Sequence, residues 1–139
     1  MITAMEVTME RIHVMDKDLG RDPLTAKIIQ ACYHVHNALG PGFVERVYRN
    51  ALMIALQKMN LSLLAEKEFA VRYQEKIVGK FRTDLVVEGQ VIVELKALEG
   101  KMPKIFESQV ISYLKASGLK VGLLINFGNR SCEVRRLMV

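Results

Sequence analysis

Apolar positions along the chain change period midway, and that change predicts where helices give way to strands. From Asp22-Pro23 onward, Leu24, Ile28, Ala31, Cys32, Val35 and Leu39 recur at helical spacing. Asp22 can cap free backbone N–H groups and Pro23 suits the first helical position, so a helix is predicted from here to Leu39. Gly40-Pro41-Gly42 stops it and turns the chain. A second helix is predicted from about Phe43 to about Asn60, with a broad apolar face of Val44, Val47, Ala51, Leu52, Ala55, Leu56 and Met59.

From Leu63 the period shortens. Leu64 to Arg72 alternates loosely, Gln74-Glu75-Lys76 reads as a turn, and Ile77 to Val87 continues as extended chain with Gly79 marking a kink. Another strand is predicted over Val91 to Ala97. Pro103 opens a third helix, in which Phe106, Val110, Tyr113, Leu114 and Ser117 share a face and Gly118 supplies a left-handed cap. Val121 to Asn126 is a compact apolar strand, and Cys132 to Leu137 reads as a last edge strand. Residues 1–21 show no sustained period and read as an N-terminal arm, a short strand around Arg11 to Val14 being compatible with the pattern. This order describes an α/β fold, a single domain over residues 22–139 in which helices flank a mixed β-sheet.

A chain of 139 residues, half of them hydrophobic, is ample for one domain with a real core and short for two. Twenty Lys plus Arg against fifteen Asp plus Glu leave a formal charge of +5, which tilts the chain toward polyanionic partners. Cys32 and Cys132 lack the paired spacing of a zinc site or a disulfide framework, so a reduced, intracellular setting is expected. No apolar run approaches the roughly 20 residues a membrane span needs, and no basic-then-apolar leader opens the sequence. A soluble, cytoplasmic protein without membrane contact is therefore expected.

The candidate chemistry lies in the stretch from Arg82 to Lys96. With Glu88-Gly89-Gln90 as the turn, Val87 pairs with Val91 and the register sets Asp84 opposite Glu94. Alternation puts Thr83, Leu85, Val87, Val91, Val93, Leu95 and Ala97 on one almost wholly apolar face, which is core. The other face carries Val86 and Ile92 near the turn, and Asp84, Glu94 and Lys96 at the open end. Like charges directly across a strand pair repel, so a positive partner should lie between them. A divalent cation would serve. Carboxylate oxygens suit magnesium, which keeps several waters and takes one or two carboxylates plus substrate phosphates. Lys96 could then orient a water and stabilise charge on an attacked phosphodiester. A solvated strand face held by a salt bridge explains the same three residues, and the hairpin alone does not choose.

Elsewhere, Glu45, Tyr48 and Arg49 stand at i, i+3 and i+4, grouping an acid, a phenol and a cation on a helical side that, on these residues alone, reads as ordinary helix surface. Gln109, off the apolar stripe of its helix, is a candidate for ordering substrate or water, with a buried structural hydrogen bond the equal alternative. His34 and His36 point about 200° apart on a helix and are given no role. Gly40-Pro41-Gly42 lacks the Lys-Ser/Thr partner of a phosphate loop and reads as a turn.

The hairpin resembles the core of the PD-(D/E)XK nuclease superfamily, in which Asp, then Glu-x-Lys, line a metal site on adjacent strands. The run from Leu39 to Tyr48 is similar to the signature of the GxxExxY protein family, a branch assigned to that superfamily, with Gly42, Glu45 and Tyr48 in the named positions. Val93 to Ala97, and Tyr113 to Gly118 through Leu123 to Gly128, are also similar to the family pattern. The resemblance leaves the N-terminal arm uncovered and implies a restriction-endonuclease-like fold. Carried across by position, it implies Asp84 and Glu94 as metal ligands with the Leu95 carbonyl a third, and Lys96 as the catalytic lysine. Glu45 would reach the metal or its waters, and Gln109 and Tyr113 would border the site. Thr83 stands where the superfamily name has Pro, a position that varies widely.

The implied cofactor is Mg2+, with Mn2+ as an alternative, and the implied partner is DNA or RNA. Tyr48, Tyr113 and Arg82 would touch substrate, with Lys80, Lys101 and Lys104 on backbone phosphates. A homodimer is the assembly by which superfamily nucleases often address two strands. The function that follows is metal-dependent hydrolysis of phosphodiesters. Its rivals are a binding module that keeps the fold without turnover, and a hydrolase of smaller phosphate esters.

Overall fold

A computed structural model describes residues 22–139; the N-terminal arm, with the short strand expected around Arg11 to Val14, lies outside the described residues. Helix α1 (Pro23–Leu39) starts where the sequence predicts. Asp22 Oδ1 accepts from the N–H groups of Leu24 and Thr25 at 3.1 and 3.4 Å, two of the donors a helix start leaves unpaired. Helix α2 (Glu45–Lys58) begins two residues later than predicted. Gly42 sits at φ +115, a backbone region closed to most side chains, and the Phe43 N–H is taken by the Tyr48 hydroxyl at 3.2 Å. Tyr48, Leu52 and Leu56, each four residues from the next, form the buried stripe of α2.

The strands that follow are β1 (Leu63–Ala65), β2 (Glu68–Tyr73), β3 (Lys76–Arg82), β4 (Leu85–Val87) and β5 (Val91–Lys96). Helix α3 (Ile105–Ser117), β6 (Val121–Asn126) and β7 (Glu133–Met138) complete the chain. The single strand expected over Leu64 to Arg72 and the single extended run over Ile77 to Val87 are each broken in two. Glu66 adopts φ 55 and the chain leaves the sheet there. At the same level the Glu66 N–H donates to the Asp84 carbonyl and the Thr83 N–H to the Lys67 carbonyl, both at 3.0 Å. The inner halves, β1 and β4, stay in the main sheet, and the outer halves, β2 and β3, form a separate two-stranded ribbon.

The main sheet has the order β1-β4-β5-β6-β7, with β5 and β6 parallel and every other pairing antiparallel. The β4–β5 register is the expected one, Val87 opposite Val91 and Leu85 opposite Val93. Leu85, Val87, Val91, Val93 and Leu95 point to α1 and α2, where they meet Ile28, Cys32, Tyr48, Leu52 and Leu56. Val86, Ile92 and Leu124 point the other way and pack on Val110, Ile111 and Leu114 of α3. Each such aliphatic side chain contributes about 1.5–3 kcal/mol when fully buried, so the two layers clamp the sheet from both sides. Among the described residues, no helix is long and apolar enough to cross a membrane.

Polar side chains pin the loops at the end of the sheet where β5 and β6 finish. Asn126, fully buried, accepts from the Leu98 and Gly128 N–H groups and donates to the Leu98 carbonyl. Asn129 exchanges two 2.8 Å bonds with the Gly100 backbone, and its own carbonyl meets His36 Nε2 at 2.7 Å. A side chain at residue 128 would overlap the Leu98 backbone, so Gly128 allows the two loops to touch. His36 thus has a structural role that its spacing from His34 did not suggest.

Candidate active site

Asp84 stands at the point where the β3–β4 chain breaks, one step beyond the last Leu85–Val93 ladder pair. Continuing that register puts it opposite Glu94 on β5, and the two acids interlock with the backbone instead of with bases. Glu94 Oε1 accepts from the Asp84 N–H at 3.1 Å, and Asp84 Oδ2 accepts from the Leu95 N–H at 2.8 Å. Glu94 is 6% exposed. Burial, and next the neighbouring Asp84 charge, push its carboxyl up from 4.5 to about 8, while the Lys96 ammonium opposes the rise. Glu94 therefore holds a proton more tightly than a free carboxyl does, and a cation would compete with that proton.

Neither acid has an ion-pair partner among the described residues within 4.0 Å, which removes the salt-bridged strand face as an explanation. The N–H and C=O of one strand residue leave the same edge, so the Leu95 carbonyl faces the gap into which its N–H donates. Asp84 and Leu95 line a cavity of about 270 Å³ together with Glu45, Arg46, Arg49 and Glu66. Glu45, exposed on the first turn of α2, therefore shares the cavity with Asp84. Among the described residues, no three His, Cys, Asp or Glu side chains are close enough to cage a metal ion. Two carboxylates and a carbonyl, all hard oxygens, fit magnesium with water in its remaining positions and fit a soft thiolate-loving metal poorly.

The remaining sequence candidates separate. Lys96 lies on the α3 side of the sheet, its Nζ 4.2 Å from the centre of the Phe106 ring. Tyr113 is half-buried on α3, its phenol pushed up by burial and then by the charges of Glu94 and Asp84. Gln109, also half-buried, sits on the helical face between Phe106 and Tyr113, between the residue that touches Lys96 and the one that feels Glu94. Arg82 is exposed on β3, two residues from Asp84, and pairs with Glu68 at 3.3 Å.

Tyr48 requires a correction. Expected at the substrate, it is fully buried: it stacks on Phe127 with ring centres 4.5 Å apart, and its hydroxyl donates to the Gly40 carbonyl at 2.6 Å. It ties down the turn that sets the start of α2, and so acts on Glu45 through the backbone. The resemblance points it outward, whereas Tyr48 continues the Leu52 and Leu56 stripe inward. Arg49 pairs with Glu66 at 3.1 Å on the cavity wall. Sequence reasoning also missed Phe81, which stacks on Tyr113 at 4.2 Å and on Phe69 at 5.2 Å, fastening the ribbon beside the acids. Its pairing across the ribbon with Phe69 was the signal for it. Both cysteines are free, and burial raises both thiols, Cys132 up to about 12, which disfavours the thiolate a nucleophile needs.

A sequence profile described as the PD-(D/E)XK nuclease superfamily matches residues 22–137. No curated protein and no solved structure matches the chain.

Proposed function

The chain belongs to the PD-(D/E)XK nuclease superfamily, and from that premise we propose that it is a metal-dependent nuclease hydrolysing phosphodiester bonds in nucleic acid. The observation that carries the reading is the interlocked pair Asp84 and Glu94, two acids at a break in the sheet with no ion-pair partner among the described residues. The Gly42-x-x-Glu45-x-x-Tyr48 run supports placing the chain in the GxxExxY branch.

In this reading Asp84, Glu94 and the Leu95 carbonyl would hold Mg2+ or Mn2+, and Glu45, on the cavity it shares with Asp84, would reach the ion or its waters. A cation bound there would polarise the phosphoryl oxygen and lower the pKa of a bound water. Lys96 leaves Phe106 to donate to a phosphoryl oxygen as negative charge builds on it. Gln109 and Tyr113 order substrate or water on the α3 side. Water adds to phosphorus, the P–O bond to one sugar oxygen breaks, and a water proton passes to that oxygen, giving a phosphate monoester and a free hydroxyl. The pair of free thiols supports a reducing cytoplasm as its setting. A homodimer would bring a second site to the opposite strand of a duplex.

The test is incubation of the purified protein with single- and double-stranded DNA and RNA in magnesium or manganese. Cleavage that is lost in Asp84→Ala and Lys96→Ala is expected. Cleavage of none of the four, or equal cleavage by Asp84→Ala, defeats the enzymatic reading.

A further inference from the structure

The β2–β3 ribbon ends two residues before Asp84, and nothing in the acidic site accounts for its composition. Residues 67–82 carry Lys67, Arg72, Lys76, Lys80 and Arg82 against Glu68 and Glu75, so this short segment contributes +3 of the chain's +5. Only its base is packed, through the Phe69–Phe81–Tyr113 stack. The outer half projects into solvent with Tyr73, Ile77 and Val78 between 55% and 66% exposed, although apolar groups of that size are ordinarily covered. Pairing of Ala70 with Lys80 and of Arg72 with Ile77 places Arg72, Lys80 and Arg82 on the ribbon face turned away from α3. Arg82 is held by Glu68, while Arg72 and Lys80 have no ion-pair partner among the described residues.

We propose that this ribbon is a DNA-binding arm that enters the major groove of B-form duplex DNA and delivers the adjoining backbone to Asp84 and Glu94. It rests on the nuclease reading only for the choice of polyanion. Two strands about 4.8 Å apart, with side chains on both faces, match a B-DNA major groove about 12 Å wide. The major groove of an RNA duplex is too narrow and deep for the same element. Arg72 and Lys80 neutralise phosphates at the groove edge. Ile77, paired with Arg72 and on the same face, supplies the apolar contact that a thymine methyl accepts.

The experiment is anisotropy titration of the full chain in chelator, where cleavage is off, against one sequence presented as DNA duplex, DNA single strand and RNA duplex. The DNA duplex is expected to bind about tenfold or more tighter than either. Arg72→Ala with Lys80→Ala should weaken duplex binding by about tenfold. It should also lower the slope of log affinity against log salt by about 2, near 0.9 per lost phosphate contact. Lys58→Ala with Lys115→Ala removes the same charge from exposed positions off the ribbon and should change neither quantity. Equal binding of the RNA duplex or single strand, an unaffected ribbon variant, or equal loss in the control overturns the proposal. Cleavage lost in Asp84→Ala but insensitive to the ribbon variant would sink the arm and leave the nuclease standing. Ribbon-dependent DNA binding without cleavage in magnesium would do the reverse.

Discussion

Replacing Glu94 with Gln keeps an oxygen to accept the Asp84 N–H at 3.1 Å and removes the charge. Because burial and Asp84 raise the folded-state value from 4.5 to about 8, the folded protein binds a proton more tightly than the unfolded chain does. The stability this confers is fully present below about 4.5 and is lost as pH rises through that window to about 8. At about 1.4 kcal/mol per pH unit, the whole rise corresponds to a ceiling of about 5 kcal/mol. Asp84 shares the site and relaxes when Glu94 ionises, so about 2–3 kcal/mol is expected, near 10 °C in Tm for a domain of this size. The assay is thermal unfolding of wild-type protein and Glu94→Gln in chelator between pH 5 and 8.5. Wild-type Tm should fall by about 10 °C more than that of the variant, a difference in which everything common to the two proteins cancels. Added Mg2+ should restore the wild type at pH 8 and leave the variant unmoved, since a cation that binds only the folded state stabilises it. Parallel pH profiles for the two proteins would refute the reasoning.

Three further outcomes follow from particular contacts. Tyr48→Phe removes the hydroxyl bonds to Gly40 and Phe43, and chemical denaturation should register a loss of about 1–2 kcal/mol with Glu45-dependent activity reduced. Arg135→Ala strips the 2.7 Å partner from Glu107, which is 2% exposed, and should cost about 3 kcal/mol or more by the same measurement. Gly128→Ala forces a Cβ into the Leu98 backbone, so raised amide exchange at Leu98 and Gly100 is expected along with a lower Tm.

The sequence discloses most where the governing interactions are local. Asp22-Pro23 caps its helix as the sequence predicts, and the β4–β5 register follows from turn and alternation, which places Asp84 against Glu94. The alternation also named both faces of that hairpin correctly. What the chain does not disclose depends on partners distant in sequence. Glu66 enters the left-handed region without being Gly because its N–H reaches the Asp84 carbonyl, and that pairing splits two expected strands and frees the ribbon. The Asn126, Asn129 and His36 bonds join residues up to 93 positions apart, beyond any local pattern. Tyr48 differs: its four-residue spacing from Leu52 and Leu56 marks an inward position, and only the resemblance to the family signature points it at substrate.

The most direct measurement is a crystal structure of the protein soaked in Mn2+, with the ion located by its anomalous signal. The account predicts one ion about 2.0–2.2 Å from oxygens of Asp84 and Glu94 and from the Leu95 carbonyl, with its other positions filled by water. An ion elsewhere, or the two carboxylates unchanged with the Glu94 proton retained at pH 8, would contradict it.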